Sequence, residues 1–373
     1  MELWKTTMEN MVINSSFWKN KKVLLTGHTG FKGSWLSVWL QKLGVNLIGF
    51  SNSIPTKPSL FELANVKDGM ISLTGDIRDL IHLKEVIRDH KPEIIIHMAA
   101  QSLVHESYNN PVETYATNVM GTVNLLEAIR TIGKVRVIIN VTSDKCYENK
   151  EWTRGYKEDD PMGGHDPYSG SKGCAELVTS SFRNSFFNPT QFEKHAVAIA
   201  SVRSGNVIGG GDWATDRLVP DIMKGILDNQ PIKIRKPDAI RPWQFVLDPL
   251  NGYLLLAEKL WNEGSAYIGS WNFGPNEENI KQVSWLVEKL TQLWGNKTYY
   301  EIDNENYGHE ATILKLDCSK ANTKLGWFPK IDIEQALQWT VDWYRQYEKN
   351  NSIREFTERQ IDNFNLLSCH KQQ

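Results

Sequence analysis

The feature that most constrains this chain is the run Val23-Leu24-Leu25-Thr26-Gly27-His28-Thr29-Gly30-Phe31-Lys32-Gly33. An apolar, strand-like segment ends in glycines at 27, 30 and 33, and an amphipathic segment follows at once. Glycines at that spacing let a turn be tight, let backbone amides approach a pyrophosphate, and let helix and strand pack closely. The amides that open the helix then face the anion. Three glycines alone also fit a plain structural turn. At the head of a βαβ series, they predict a dinucleotide cradle.

That series is present. Strands are expected at Lys22–Thr26, Asn46–Phe50, Met70–Leu73, Glu93–Met98, Val135–Thr142 and Ala196–Arg203. Helices are expected between them at Phe31–Leu43, Leu80–Asp89, Pro111–Ile132 and Tyr168–Phe187. Strictly alternating elements imply a parallel sheet with helices on both faces. Beyond Ser204–Asp212 the pattern loosens, with helices at Leu218–Asn229, Asp248–Asn262, Val283–Trp294 and Ile333–Glu348. Short strands are expected at Ile232–Arg235, Tyr267–Phe273 and Tyr299–Ile302. The predicted fold is α/β: a Rossmann-type doubly wound parallel sheet with a smaller C-terminal α/β substrate lobe. The expected division is 20–205, with returning segments near 240–275, for the nucleotide-binding part and 206–350 for the substrate lobe. Residues 1–19 and 351–373 are terminal extensions, the latter polar and expected either to cover the surface or to be mobile.

The rest of the nucleotide site is less explicit. The acidic residue expected about 20 positions after the glycines, to hold a ribose, is not evident at Gly49-Phe50-Ser51-Asn52. Ser51 could accept a 2′-phosphate with Lys57 nearby, yet no arginine is placed there, which favours NAD over NADP. Asp76-Ile77-Arg78 fits an adenine contact, or a capping aspartate in a surface loop. Ala99 and Ala100 offer small side chains where a cofactor must pass, or where a strand end packs closely.

The chemistry is carried by two later segments. Val141-Thr142-Ser143-Asp144-Lys145 ends an apolar run with a hydroxyl, a carboxylate and an amine. Tyr168-Ser169-Gly170-Ser171-Lys172 puts a phenol and an amine one helical turn apart on one face. An ammonium beside a phenol favours the phenolate and pulls its pKa below about 10. Tyr168 is thereby a candidate base for an alcohol losing a hydride. Asp144 and Lys145 can serve one substrate only if the chain leaves the strand there, since neighbours on a strand face opposite ways. A lysine acts as a base only when neutral, so burial or a nearby cation must lower it; pairing with Asp144 would do the reverse. His97 reads as a hydrogen-bonded core histidine, and Trp35, Trp39 and Trp285 as core packing.

Composition narrows the class of protein. The 373 residues carry a formal charge of −2, which offers no footprint for nucleic acid or an anionic membrane. The four cysteines (Cys146, Cys174, Cys318, Cys369) form no C-x-x-C pair, and no metal motif is present. Residues 1–20 lack the apolar core of a signal peptide, and no run reaches the roughly 20 apolar residues of a membrane helix. A cytoplasmic protein with reduced thiols is expected.

With these segments assembled, the chain resembles the extended short-chain dehydrogenase/reductase family, in particular its nucleotide-sugar dehydratases and epimerases. The resemblance rests on the glycine opening, His97-Met98-Ala99-Ala100-Gln101-Ser102, Asn118-Val119-Met120-Gly121-Thr122, Tyr168-x-x-x-Lys172 and Arg203-Ser204-Gly205-Asn206-Val207. It covers about residues 20–330. Thr142-Ser143-Asp144-Lys145-Cys146-Tyr147-Glu148-Asn149, Gly209-Gly210-Gly211-Asp212-Trp213 and Arg241-Pro242-Trp243-Gln244 narrow it to the branch acting on CDP-glucose.

This resemblance implies a redox-neutral elimination, a hydro-lyase reaction. Enzyme-bound NAD takes a hydride from C4, water leaves across C5–C6, and the hydride returns to C6. The product is a precursor of the deoxysugars of surface polysaccharides. Gly27, Thr29, Gly30, Phe31, Lys32, Gly33, Asp76, Ile77, Ala99 and Ala100 are the expected cofactor contacts, with Tyr168 and Lys172 at the nicotinamide end. Ser143, Asp144, Lys145, Tyr168 and Lys172 form the expected catalytic set. Tyr168 deprotonates the C4 hydroxyl, which Ser143 hydrogen-bonds, Asp144 is the acid, and Lys145 replaces the glutamate of dTDP-sugar relatives as the base. Asn206, Arg217, Arg241 and Tyr307 are expected on the nucleotide-sugar. Helices 111–132 and 168–187 match the family's four-helix dimer interface, so a homodimer is expected. The rivals are a nucleotide-sugar 4-epimerase, a dehydratase of another nucleotide-sugar, and a non-catalytic dinucleotide sensor. Asp144-Lys145 counts against the epimerase, and the paired Tyr168 and Lys172 count against the sensor.

Overall fold

Val23, Leu24 and Leu25 are successive residues of β1 (Lys22–Thr26), and all three are fully buried. Only a strand covered on both faces buries consecutive side chains in this way. The computed structural model describes residues 12–234, 236–295, 300–302 and 314–367. After β1 come β2 (Asn46–Ser51), β3 (Ile71–Thr74), β4 (Ile94–His97), β5 (Val137–Val141) and β6 (Ala198–Arg203). Short strands follow: β7 (Asn206–Ile208), β8 (Ile232–Ile234), β9 (Ile240–Phe245), β10 (Gly269–Asn272), β11 (Ile280–Gln282) and β12 (Tyr300–Ile302).

The main sheet has seven parallel strands in the order β10-β6-β5-β4-β1-β2-β3. Its two faces follow the strand period of two. Leu24, Ile95, Ile138 and Ile199 pack under the helices Leu80–His90 and Gly121–Ile132. Val23, Leu25, Ile94, Ile96 and Ile139 face the other way, under Phe31–Lys42 and Leu247–Glu263. Strand order reverses between β1 and β4, and such a switch point opens a crevice at the carboxyl ends of the strands. The expected doubly wound parallel sheet is therefore what forms.

The later part adds a three-stranded sheet, β11-β9-β7, and a pair, β12-β8. β10 returns to the main sheet beside β6. Arg241-Pro242-Trp243 lies in β9, immediately ahead of the helix Leu247–Glu263. Residues 235 and 299, expected at strand ends, lie outside the described residues. Among the described residues no helix is long and apolar enough to cross a membrane.

One expectation needs correction. The helix expected over Pro111–Ile132 is broken into Pro111–Tyr115 and Gly121–Ile132 by a wider π turn at Ala116–Met120. Asn118 within that turn is the physical reason. Its amide donates to the Gln101 carbonyl (2.9 Å) and Ser171 Oγ (2.8 Å), and its Oδ1 accepts from the Gln101 amide (2.9 Å). Of the two alternatives for the polar C-terminal stretch, residues 353–366 take the first, as the helix Ile353–Leu366 that docks on the core through Ile353, Ile361 and Phe364. Ser352 caps its start by accepting from the Glu355 amide, and Phe364 sits edge-on to Trp39 at 5.7 Å.

Phe364→Ala should therefore destabilise the protein by about 3–5 kcal/mol in urea unfolding, the usual effect of emptying a buried phenylalanine site. An unchanged midpoint would mean that this helix does not dock.

Candidate active site

The crevice at the strand ends is a cleft of about 1000 Å³ running from the glycine cradle to the C-terminal lobe. At the cradle, Gly27 has φ +76°, and a Cβ there would lie 2.7 Å from the Ala99 amide nitrogen. A Cβ on Gly33 would lie 2.1 Å from the Gly27 carbonyl oxygen. Both positions therefore require glycine. Among the described residues no side chain caps the helix Phe31–Lys42, so its first amides are left for an anion. A pyrophosphate fits that donor set. Thr29, Phe31, Ala99 and Ala100 line the cleft beside it.

Two histidines fasten the strand ends beneath the cradle. His97 is buried, with Nδ1 2.7 Å from Thr26 Oγ1 and Nε2 3.3 Å from Thr122 Oγ1. His28 pairs with Ser51 Oγ (2.9 Å) and Ser72 Oγ (2.8 Å). Ser51, considered above for a 2′-phosphate, is thus already engaged. Asp76 and Ile77 line the cleft, and the Asp76 carboxylate grips Arg78 through its amide (2.8 Å) and guanidinium (3.0 Å). That grip holds Asp76 below the usual carboxylate range.

The helix Pro167–Phe186 starts where Asp166 accepts from the Ser169 amide at 2.9 Å, with Pro167 in the first turn. Tyr168, Lys172 and Glu176 recur every four residues along it, and all three are buried. β5 ends at Val141, so the chain leaves the strand before Asp144, as the chemistry requires. Ser143 caps a 3₁₀ turn over Asp144–Cys146 by accepting the Lys145 amide at 3.2 Å. Its own hydroxyl donates to Asp144 Oδ1 at 3.0 Å. The Ser143 hydroxyl lies near enough to Tyr168 to oppose the rise of its pKa. All five expected catalytic residues line the same cleft.

Glu176 and Arg203 hold this arrangement; Glu176 was absent from the sequence candidates, and Arg203 stood in a motif without a role. The carboxylate takes Arg203 Nε and Nη2 at 2.9 Å each, together with Thr142 Oγ1 (2.5 Å) and Ser201 Oγ (2.6 Å). One carboxylate thereby ties the Tyr168 helix to β5 and β6. Its sequence signal is the spacing of Glu176, four residues past Lys172 on the same face. Asn118 was quoted in a motif without a role, and its bond to Ser171 joins the same helix to the Gln101 loop.

Burial dominates the electrostatics. It pushes the Tyr168 phenol up to about 12, against the nearby Ser143 hydroxyl and the charge of Arg217. The expected depression by Lys172 does not prevail. Lys172 is itself lowered to about 8, by burial first and then by the charge of Lys32. Lys32 opens the helix of the cradle, but its ammonium turns inward to Ser204 Oγ and Tyr253 OH, both at 3.0 Å. Burial raises the Asp144 carboxyl, opposed by Lys145, Ser143 and Arg241. Lys145 is only partly buried.

On the C-terminal side, Asn206 opens β7. Arg217 binds Asp212 Oδ2 (3.0 Å) and reaches across the cleft to Ser102 Oγ (2.8 Å). Arg241 lies close enough for its charge to act on Asp144. Asn206, Arg217 and Arg241 all line the cleft. Tyr307 lies outside the described residues.

The two buried histidines make a pH prediction. Burial lowers His28 to about 4 and His97 to about 3, whereas an unfolded histidine titrates near 6.5. Between these values the unfolded chain binds more protons. Stability should then fall as pH drops from about 6.5 toward about 4, by up to about 1.4 kcal/mol per pH unit for each histidine. His97→Gln should remove one share of that slope in unfolding measurements, and an unaltered slope would contradict neutral burial.

Comparison with known proteins agrees with this geometry. The family model described as GDP-mannose 4,6 dehydratase matches residues 24–340. The CDP-glucose 4,6-dehydratase of Salmonella typhimurium is 52% identical over 353 residues, covering 95% of this chain and 98% of its own length. Among solved structures, the UDP-glucose 4-epimerase of Thermotoga maritima superposes with a TM-score of 0.76 at 23% identity, covering 87% of this chain and 99% of that one. The dTDP-glucose 4,6-dehydratase of Streptomyces venezuelae, solved with NAD bound, gives 0.75 at 22% identity, covering 88% and 98%. These two share the fold. The match over residues 24–340 and the 52% identity over nearly the whole length together establish that the chain belongs to the GDP-mannose 4,6-dehydratase family of nucleotide-sugar dehydratases.

Proposed function

We propose that this protein is an NAD-dependent hydro-lyase converting CDP-glucose to CDP-4-dehydro-6-deoxyglucose. The observation that carries this reading is the convergence of Ser143, Asp144, Lys145, Tyr168 and Lys172 in one cleft beside the glycine cradle. The Salmonella relative, 52% identical, supports the choice of CDP-glucose. The free amides after Gly30 would hold the pyrophosphate of NAD, which when bound would supply the acceptor and donor for the hydride.

The protein's own groups do the rest. Tyr168 takes the proton of the C4 hydroxyl, and Lys172 holds the nicotinamide ribose. The resulting 4-ketone acidifies the C5 proton, which Lys145 removes, while Asp144 protonates the departing C6 hydroxyl. Burial favours the protonated form of Asp144, which an acid needs. Asn206, Arg217 and Arg241 bind the diphosphate, where fork-shaped guanidinium groups suit paired oxygens. An epimerase has no use for an acid and a base at C5–C6, so Asp144 and Lys145 in the cleft favour dehydration. A cytoplasmic homodimer joined through the segments 111–132 and 168–187, feeding deoxysugar assembly for surface polysaccharide, completes the proposal.

Purified protein with NAD should turn CDP-glucose into a product lighter by one water in mass spectra, with no net accumulation of reduced NAD. Unchanged CDP-glucose alongside dehydration of another nucleotide-sugar would overturn the substrate assignment. Separately, Lys145→Ala should slow dehydration by about 10²–10⁴-fold, the usual contribution of a general base. Full activity in that variant would remove Lys145 from the role.

A further inference from the structure

Lys32 sits where an ammonium is least expected. It is the second residue of the helix Phe31–Lys42, so its charge opposes the positive end of the helix dipole. A lysine in a phosphate cradle is expected to reach for the cofactor. Its Nζ donates instead to Ser204 Oγ and Tyr253 OH, both at 3.0 Å, and lies 5.1 Å from the centre of the Tyr253 ring. An ammonium can only donate, so both hydroxyls accept from it. Ser204 Oγ and Tyr253 OH stand 2.8 Å apart, which closes a triangle. Ser204 and Tyr253 are both buried. Because these two partners of Lys32 are neutral hydroxyls, the contact is not an ion pair.

We propose that Lys32 is a positioning residue for the elimination step, and that Lys32, Ser204 and Tyr253 form a clamp that fixes the peptide of Asp144. This rests on the dehydratase reading given above. The link runs through Ser204. Its carbonyl accepts the Asp144 amide at 3.3 Å, while its hydroxyl is held by Lys32 and Tyr253. The next residue, Gly205, is the wall beside the carboxyl, since a Cβ there would lie 2.8 Å from Asp144 Oδ2. A shift of Ser204 thereby moves the group that gives its proton to the departing C6 hydroxyl. Lys32 also rides on the helix whose first amides are left for a pyrophosphate. The clamp joins the cofactor cradle directly to the acid.

The corners of the triangle are anchored in the core. Tyr253 is fully buried in the helix Leu247–Glu263 and meets Phe273 edge-on at 5.6 Å. The Phe273 amide in turn donates to the Arg203 carbonyl at 2.8 Å. Glu176 and the clamp therefore grip neighbouring residues, Arg203 and Ser204. Lys32, Ser204, Asp144 and Lys172 all line the cleft. The charge of Lys32 interacts with both Asp144 and Lys172, so its ammonium is within electrostatic reach of both halves of the site.

Single-turnover reaction of the NAD-loaded enzyme with CDP-glucose, followed by the absorbance of reduced NAD, separates the two steps. In the wild type elimination keeps pace, and little reduced NAD builds up. Lys32→Met keeps an unbranched side chain but removes the donors. It should slow elimination about 10²-fold more than oxidation, the scale set by small misplacements of a reacting group. Reduced NAD should then accumulate before product appears, while NAD affinity by calorimetry matches the wild type. Tyr253→Phe should give the same signature, and the double variant should be no slower than the worse single one. Loss of NAD affinity with the balance of steps unchanged makes Lys32 a cofactor contact and overturns the proposal. Equal slowing of both steps shows a role in folding alone and overturns it too. If Lys32→Met fails to fold, Tyr253→Phe decides the matter, and a wild-type balance of steps there overturns the clamp. Wild-type protein that leaves CDP-glucose unchanged overturns the dehydratase reading itself, and the positioning role with it.

Discussion

The ion pair between Glu176 and Arg203 is the constraint on which the site depends. It is almost fully buried and bidentate, and the carboxylate also receives Thr142 and Ser201. Breaking one side of such a pair costs about 3–5 kcal/mol because the other charge is left uncompensated. An exposed pair such as Arg88–Asp89 is worth about 1 kcal/mol at most. The position of the buried pair matters as much as its strength. Glu176 lies on the face that presents Tyr168 and Lys172, Thr142 immediately precedes Ser143, and Arg203 immediately precedes the Ser204-Gly205 segment against Asp144. One fixed contact thereby sets the distance between the helix of Tyr168 and Lys172 and the turn of Ser143 to Lys145.

The same dryness sets the chemistry. Burial raises acids and lowers ammonium groups, and it does so throughout this cleft: Tyr168 and Asp144 go up, Lys32 and Lys172 go down. These shifts pull the two roles apart in an informative way. A raised carboxyl is a better acid at neutral pH, while a raised phenol is a worse base. Lys32 adds to this balance from an unexpected side, because its ammonium points at Ser204 and Tyr253 behind the reacting end.

Much of this was legible in the sequence, for physical reasons. Consecutive apolar residues in Val23-Leu24-Leu25 and Ile94-Ile95-Ile96 predict doubly covered strands, and these strands form as expected. The glycine spacing predicts the cradle because backbone clearance leaves no room for a Cβ at 27 or 33. The convergence of Ser143, Asp144, Lys145, Tyr168 and Lys172 was legible because two segments, a strand end and a helix start, carry them, and the cleft gathers all five. Other features depend on long-range contacts that no local pattern displays. The π turn at Ala116–Met120 answers to Asn118 binding Gln101 and Ser171, and the Tyr168 pKa answers to burial rather than to its helical neighbour. The C-terminal helix was hidden by polar composition, although Ser352 and Glu355 form a cap signature and Ile353, Ile361 and Phe364 share a buried face.

The central claim is that oxidation, elimination and reduction occur in this one rigid, dry site without release of an intermediate. The most direct measurement uses CDP-glucose carrying deuterium at C4, with the product examined by NMR. The account predicts that the deuterium moves to C6 of the product within one molecule, even when unlabelled CDP-glucose is present. Deuterium lost to solvent, or scrambled between labelled and unlabelled molecules, would contradict it.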